Sequence, residues 1–196
     1  MDATTKCHIA WFKECMANNA IVEKLKNIHL VLSDVDGALT DGSIYYSDRE
    51  DGRSFSIPDG FMVEFLKKNN ITLVLISGKS HESTIIRGQK LGISKDLCIV
   101  GKNNKIPTIQ ELQKKLHISP EQSLIFGDEV LELHVKEAGL TSIFACPQTA
   151  PFYVQTNADL VIPANAGYGC FRLLMDLMLY AQGVHFAQNH IQNALR

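Results

Sequence analysis

Six short apolar runs alternating with amphipathic stretches predict an α/β fold: a three-layered, Rossmann-like, mostly parallel sheet with helices on both faces. Three observations carry that prediction. The runs HLVLS (29–33), ITLVLIS (71–77), DLCIV (96–100), SLIFG (123–127), SIFAC (142–146) and DLVIP (159–163) are continuously apolar, as strands buried on both faces must be. Between them, residues 60–69, 80–91, 105–116 and 130–138 are amphipathic with helical period. Polar residues able to do chemistry follow four of the runs directly, at the carboxyl ends where an open parallel sheet binds its ligands.

Taken in order, residues 4–27 repeat apolar positions at helical spacing (Ile9, Phe12, Met16, Ile21, Leu25). They predict one or two helices in an N-terminal segment, 1–28, ahead of a main domain at 29–183. The first strand runs straight into Asp34, Val35, Asp36 and Gly37. Next comes SIYYSDREDGRSFSIPDG, in which IYY and RSFSI flank an Asp-Gly turn. This predicts a β-hairpin flap at about 43–58. Gly92 and Gly139 stand where two of the helices should stop. Ser119, Pro120 and Gln122 form a capping-box pattern for a short turn before the fourth strand. A strongly apolar helix follows at about 171–182 and should pack on two surfaces. The pattern of the tail, 184–196, allows either a helix or a frayed end.

The 196 residues are 45% hydrophobic and 20% charged, the composition of a globular domain. A net charge of -2 offers none of the basic excess that nucleic-acid binding requires. No apolar run nears the roughly 20 residues needed to cross a bilayer. The N-terminus lacks a basic stretch followed by an apolar core, so no secretory signal is expected. Cys7, Cys15, Cys98, Cys146 and Cys170 are scattered, odd in number and without a CxxC. They fit a reducing compartment, and the expectation is a cytoplasmic protein.

The strand ends define the expected site. Asp34 and Asp36 follow the first strand, Ser77, Gly78 and Lys79 the second, Lys105 the third by way of GKNNK, and Asp128 the fourth. A buried carboxylate is costly unless paired, hydrogen-bonded or bound to a cation. Asp34 and Asp128 can share a hard divalent cation, best Mg²⁺. Ser77, Lys105 and free loop amides can hold phosphate oxygens. Asp36 is placed to protonate a leaving alkoxide and then deprotonate water.

DVDGALTDG, the SGK after the second strand, the lysine before a helix and the late GDE resemble the haloacid-dehalogenase superfamily over residues 29 to about 183. The flap, VGKNNK and AGYGCFRLLMDLMLYAQG are similar to the 3-deoxy-D-manno-octulosonate 8-phosphate phosphatase family within it. The resemblance implies an aspartyl-phosphate on Asp34, with Asp36 as acid and base and phosphate held by Ser77, Gly78 and Lys105. It implies Mg²⁺ on the carboxylates of Asp34 and Asp128 and the backbone carbonyl of Asp36. It also implies a homotetramer whose flaps meet at the interface. Lys79, Asp59 and Gly60 are the candidate substrate contacts, and Asp59 and Gly60 could equally close the hairpin structurally, the reading the sequence favours. The spacing agrees that there is no large cap: only about 40 residues separate Asp36 from Ser77, too few for a separate cap domain.

Four departures stand out. GDEVLE puts Glu129 and Glu132 where the superfamily pattern has aspartates, and acids there also simply complement a helix dipole. SGK has Lys79 where arginine is frequent, which loses a bidentate fork. Tyr168 stands where the family often has arginine between glycines. The expected activity is therefore hydrolysis of a sugar-acid phosphate of the octulosonate type. The alternatives are another sugar phosphate, such as a nonulosonate phosphate, or a relative with the fold but weak turnover. A receiver-like signalling domain fits less well, because its phosphorylated aspartate ends the third strand. Lys105 is preferred to Lys102 because it stands at the helix entry. His134 reads as packed or solvated and Cys98 as core, while Tyr45, Tyr46 and Phe55 suit a subunit interface.

Overall fold

Each apolar run becomes a strand. The computed structural model describes residues 1–46 and 52–195, apart from the side chains of residues 185 and 186. The strands are β1 (Leu30–Ser33), β2 (Thr72–Ile76), β3 (Cys98–Ile99), β4 (Ser123–Phe126), β5 (Ile143–Pro147) and β6 (Leu160–Ile162). They form one sheet in the order β3-β2-β1-β4-β5-β6, every pairing parallel. Ser33 lies opposite both Leu75 and Phe126. The residues that follow β1, β2 and β4 therefore leave the sheet along one edge, next to one another.

The continuous apolar runs are explained by what covers them. Val31, Leu73, Leu75, Leu124 and Phe126 face a core built with α1 (Ala3–Ala17), α2 (Asn19–Lys26), α3 (Ile57–Lys68) and α8 (Cys170–Ala181). Leu30, Leu32, Val74, Ile76 and Ile125 face the other core, with α5 (Ile106–Leu116), α6 (Val130–Glu137) and the single turn α7 (Phe152–Gln155). Alternate residues of each strand thus serve opposite layers, and both must be apolar. α4 (Glu82–Lys90) packs beside β3.

The N-terminal segment is two helices, parted at Asn18, whose side chain accepts from the amides of Ala20 and Ile21 and so caps α2. Phe12, Cys15, Leu25 and Ile28 are buried in the same core as α8. α8 buries eight of its residues and touches α2, α3, β6 and the tail helix α9 (His185–Ala194). The tail is therefore helical, and Ala187 is wholly buried.

The flap departs from expectation. Among the described residues it holds only an isolated antiparallel bridge, Tyr45 to Gly52, closed by two hydrogen bonds of 3.0 and 2.8 Å. Most of the expected Asp-Gly turn, residues 47–51, lies outside the described residues. The RSFSI run does not continue as a strand to residue 58. Ser56 instead caps α3, accepting from the Asp59 amide at 3.3 Å, with Pro58 in the first turn. Helix starts with proline near N1 are favoured because the missing N–H has no intrahelical acceptor there. The helix therefore begins at Ile57, three residues before the expected start.

Candidate active site

Two main-chain ties and two glycines bring the acids together. The Asp34 amide donates to the Phe126 carbonyl at 2.8 Å, so the β1 and β4 ends stay in register one residue beyond the strand. Thr40, fully buried, donates from Oγ1 to the Val35 carbonyl and accepts from the amides of Gly37 and Gly42, which folds the chain after Asp36 back on itself. Gly37 has φ +82°, and a Cβ on it would lie 2.2 Å from Oδ2 of Asp128. A Cβ on Gly127 would lie 2.3 Å from Cγ of Glu132. Only glycine at these two positions lets both carboxylates close on the site.

Lys105 is the centre of the charge arrangement. It is 2% exposed, and its ammonium donates to Oδ1 of Asp34 and to Oε1 of Glu132. Burial works against its charge, but Asp34 and Glu132 outweigh that and hold it above the ordinary lysine value. Burial pushes the Asp34 carboxyl up to about 7, with the charges of Glu132 and Asp128 adding and Lys105 opposing. Burial likewise pushes Asp128 up to about 7, with Glu132 and Glu129 adding.

Asp36 sits between two elements. Its Oδ1 accepts from Nε of Arg53, which enters from the flap, and its Oδ2 is 3.5 Å from Oγ of Ser77. Ser77 is buried, accepts from the Lys79 amide at 3.1 Å, and is fixed by main-chain bonds to Ile99 and Lys102. Gly78 admits no side chain because Asn103 Oδ1 would lie 2.6 Å from its Cβ.

The structure therefore groups Asp34, Asp36, Ser77, Gly78, Lys105 and Asp128 at the strand ends. Lys79 is exposed at the rim. Tyr168 is exposed too, and it lines, with Asp41, Asp128, Thr149 and Asn165, a cleft of about 300 Å³.

Asp59 and Gly60 do not join the group. Asp59 is 3% exposed, and its two oxygens accept from the amides of Gly169 and Arg172 at 3.3 and 2.7 Å, capping α8. A Cβ on Gly60 would meet Nη2 of Arg87 at 2.4 Å, so this glycine lets α3 and α4 pack. Of the two roles the sequence leaves open for Asp59 and Gly60, these contacts favour the structural one over a substrate contact. Asp59→Ala is expected to lower stability by about 1–2 kcal/mol in urea, with KM unchanged. A tenfold rise in KM with unaltered stability would return Asp59 to the substrate.

Two functional side chains escaped the sequence reading. Glu132, 1% exposed, is the second carboxylate on Lys105. Its Oε2 also accepts from the Glu129 amide in a capping box, while Glu129 is an exposed N-cap. The capping-box spacing was readable; its reach to Lys105 was not. Arg53 gave no signal, since a lone flap arginine reads as solvated.

Asp34, buried, and Asp128, half-buried, suit a hard cation, since desolvation and neighbouring carboxylates make both resist ionisation without one. Among the described residues no group of three His, Cys, Asp or Glu side chains could hold a metal. Two carboxylates leave room for waters, which Mg²⁺ keeps readily, and the Asp36 carbonyl is the third ligand that the resemblance implies. A consequence follows for stability. Both carboxyls hold protons in the folded chain above the ordinary 3.8. The folded state then binds more protons than the unfolded state between about pH 4 and 7, and metal-free stability falls as pH rises through that window. Added Mg²⁺ should therefore raise the melting temperature little at pH 5 and most at pH 8. Equal shifts at both would exclude these carboxylates as ligands.

No family model matches the chain. The 3-deoxy-D-manno-octulosonate 8-phosphate phosphatase KdsC of Haemophilus influenzae is 35% identical over 162 residues, 82% of this chain and 88% of that protein. The cobalt-bound structure of the deoxy-D-mannose-octulosonate 8-phosphate phosphatase from H. influenzae superposes with a TM-score of 0.77 at 30% identity, covering 88% of this chain and 99% of that one. The Moraxella catarrhalis 3-deoxy-D-manno-octulosonate 8-phosphate phosphatase, in complex with magnesium, phosphate and KDO, superposes with a TM-score of 0.79 at 28% identity, covering 89% and 99%.

Proposed function

The chain belongs to the 3-deoxy-D-manno-octulosonate 8-phosphate phosphatase family of the haloacid-dehalogenase superfamily, and on that premise we infer that it hydrolyses this sugar-acid phosphate to KDO and inorganic phosphate. The single observation that carries the reading is the meeting of Asp34, Asp36, Ser77, Lys105 and Asp128 at adjacent strand ends.

The residues divide the work as follows. Lys105 occupies Oδ1 of Asp34 and leaves Oδ2 to attack phosphorus. As that bond forms, the bond from phosphorus to the sugar oxygen breaks, and Asp36 gives the leaving alkoxide its proton. Water then loses a proton to Asp36 and attacks the phosphoryl group on Asp34, releasing phosphate, freeing the Asp34 carboxylate and returning Asp36 to its protonated form. Ser77 and the amides after it hold the non-bridging oxygens. Asp34, Asp128 and the Asp36 carbonyl would hold Mg²⁺, which would supply positive charge to offset repulsion between the attacking carboxylate and the phosphate. The same reading assigns sugar contacts to Lys79, exposed two residues after Ser77, and to Tyr168, which lines a cleft with Asp128.

Glu132 supports the enzyme reading over a relative with weak turnover. It is one methylene longer than the aspartate of the superfamily pattern, yet it reaches Lys105 and still closes its helix cap. The assembly we propose is a homotetramer, supported by the exposed Tyr45 and Tyr46 on the flap and the exposed Ile57 and Phe61 on the neighbouring turns of α3. The compartment we propose is the cytoplasm, supported by five free cysteines.

Phosphate release from a panel of sugar phosphates, with and without Mg²⁺, tests the reading. Strong, metal-dependent release from the octulosonate 8-phosphate is expected. Preference for another sugar phosphate would keep the chemistry and move the substrate. No release from any would sink the enzyme reading.

A further inference from the structure

Arg53 carries more hydrogen-bonding capacity into the site than the site uses. Its side chain is 0% exposed, and Nε donates to Oδ1 of Asp36. Nη1 and Nη2 are both buried and have no partner among the described residues. Buried charged donors without an acceptor cost stability, and native structures leave few of them. Lys105 differs: its ammonium already meets two carboxylates. Among the described residues Arg53 thus brings two unpartnered donors beside the reacting groups, where Lys105 has one proton left to offer.

The neighbourhood says what those donors await. Asp36 accepts from Arg53 on one oxygen and lies against Ser77 on the other, so Arg53 and Ser77 flank the proposed acid and base. A guanidinium fork with Nε engaged presents Nη1 and Nη2 in one plane, a geometry matched to the paired oxygens of a phosphate or carboxylate. We propose that Arg53 is a substrate-binding residue that takes an oxyanion of the substrate on Nη1 and Nη2, the phosphate first. The proposal rests on the phosphatase reading for its substrate. It assigns to the flap, through one side chain of the same chain, a direct part in holding substrate. Closing on the anion would satisfy the two donors and fix Asp36 in the same step.

The experiment measures equilibrium binding of inorganic phosphate and, separately, of free KDO to the Mg²⁺-loaded full chain, for wild type, Arg53→Lys and Arg53→Ala. Melting curves check that the variants fold, and Arg53→Lys keeps the charge if Arg53→Ala does not fold. Loss of a charge-assisted bidentate contact should weaken phosphate binding about 10- to 100-fold in Arg53→Ala, with Arg53→Lys between. A loss confined to KDO would also support the oxyanion role and identify the sugar carboxylate as the partner. Unchanged binding of both anions in folded variants would overturn the proposal and leave Arg53 as a positioning residue for Asp36, since that role would lower kcat alone. Wild type that binds neither anion would instead count against the phosphatase reading itself.

Discussion

Asp34→Asn is expected to lower phosphate release by at least about 10⁴-fold, the scale on which loss of a covalent nucleophile acts. Asparagine has the same shape, and its carbonyl oxygen can still accept from Lys105. What it lacks is an anionic oxygen able to attack phosphorus and carry the phosphoryl group. Loss of the proton-transfer residue by Asp36→Asn should cost less, about 10²- to 10⁴-fold. The fold should not suffer. Burial and two neighbouring carboxylates already disfavour charge on Asp34, holding it at about 7, so a neutral side chain relieves repulsion in the metal-free chain. Melting without metal should be unchanged or raised, and the stabilisation by Mg²⁺ should shrink because one ligand is lost. Rapid quenching followed by intact-protein mass measurement should find a phosphoryl adduct on the wild type and none on the variant. Residual turnover within tenfold of wild type would place the nucleophile elsewhere.

What could be read from the sequence was what local chemistry dictates. The strands showed because burial on both faces leaves continuous apolar runs, and Asp34, Asp36 and Asp128 showed because each follows such a run directly. The rest depends on contacts between distant residues. Asp59 caps a helix whose first turn lies more than a hundred positions away. Glu132 reads as a first-turn acid because it is one, and its second oxygen reaches Lys105 only once α5 and α6 lie side by side. The start of α3 was misread because RSFSI alternates like a strand, while the stronger cue was Ser56 with Pro58 and the Asp59 amide. Arg53 has no sequence signature at all. Its meaning comes from burial beside Asp36.

Lys105→Met tests how the charged centre is held. Lys105 is buried against Asp34 and Glu132, which are also buried, and removing one member of a buried pair leaves an uncompensated charge costing about 3–5 kcal/mol. Asp34 can answer by taking up a proton, since its carboxyl already sits at about 7, whereas Glu132, 1% exposed, loses its ammonium partner. Most of the loss should therefore trace to Glu132. Adding Glu132→Leu to Lys105→Met replaces the pair with apolar volume, an exchange that is often neutral or stabilising. The double variant should recover most of the lost stability in urea, short of about 1 kcal/mol for the missing cap. Activity should not return, because the ammonium that orients Asp34, and that the proposed reaction brings to the phosphate, is absent in both, and loss of such a fixed charge costs about 10²- to 10³-fold in kcat. Recovery of stability without recovery of turnover would separate the two roles of Lys105. A double variant as unstable as Lys105→Met would mean that Glu132 is not the charge Lys105 neutralises, and a double variant that regained activity would remove Lys105 from the phosphate site.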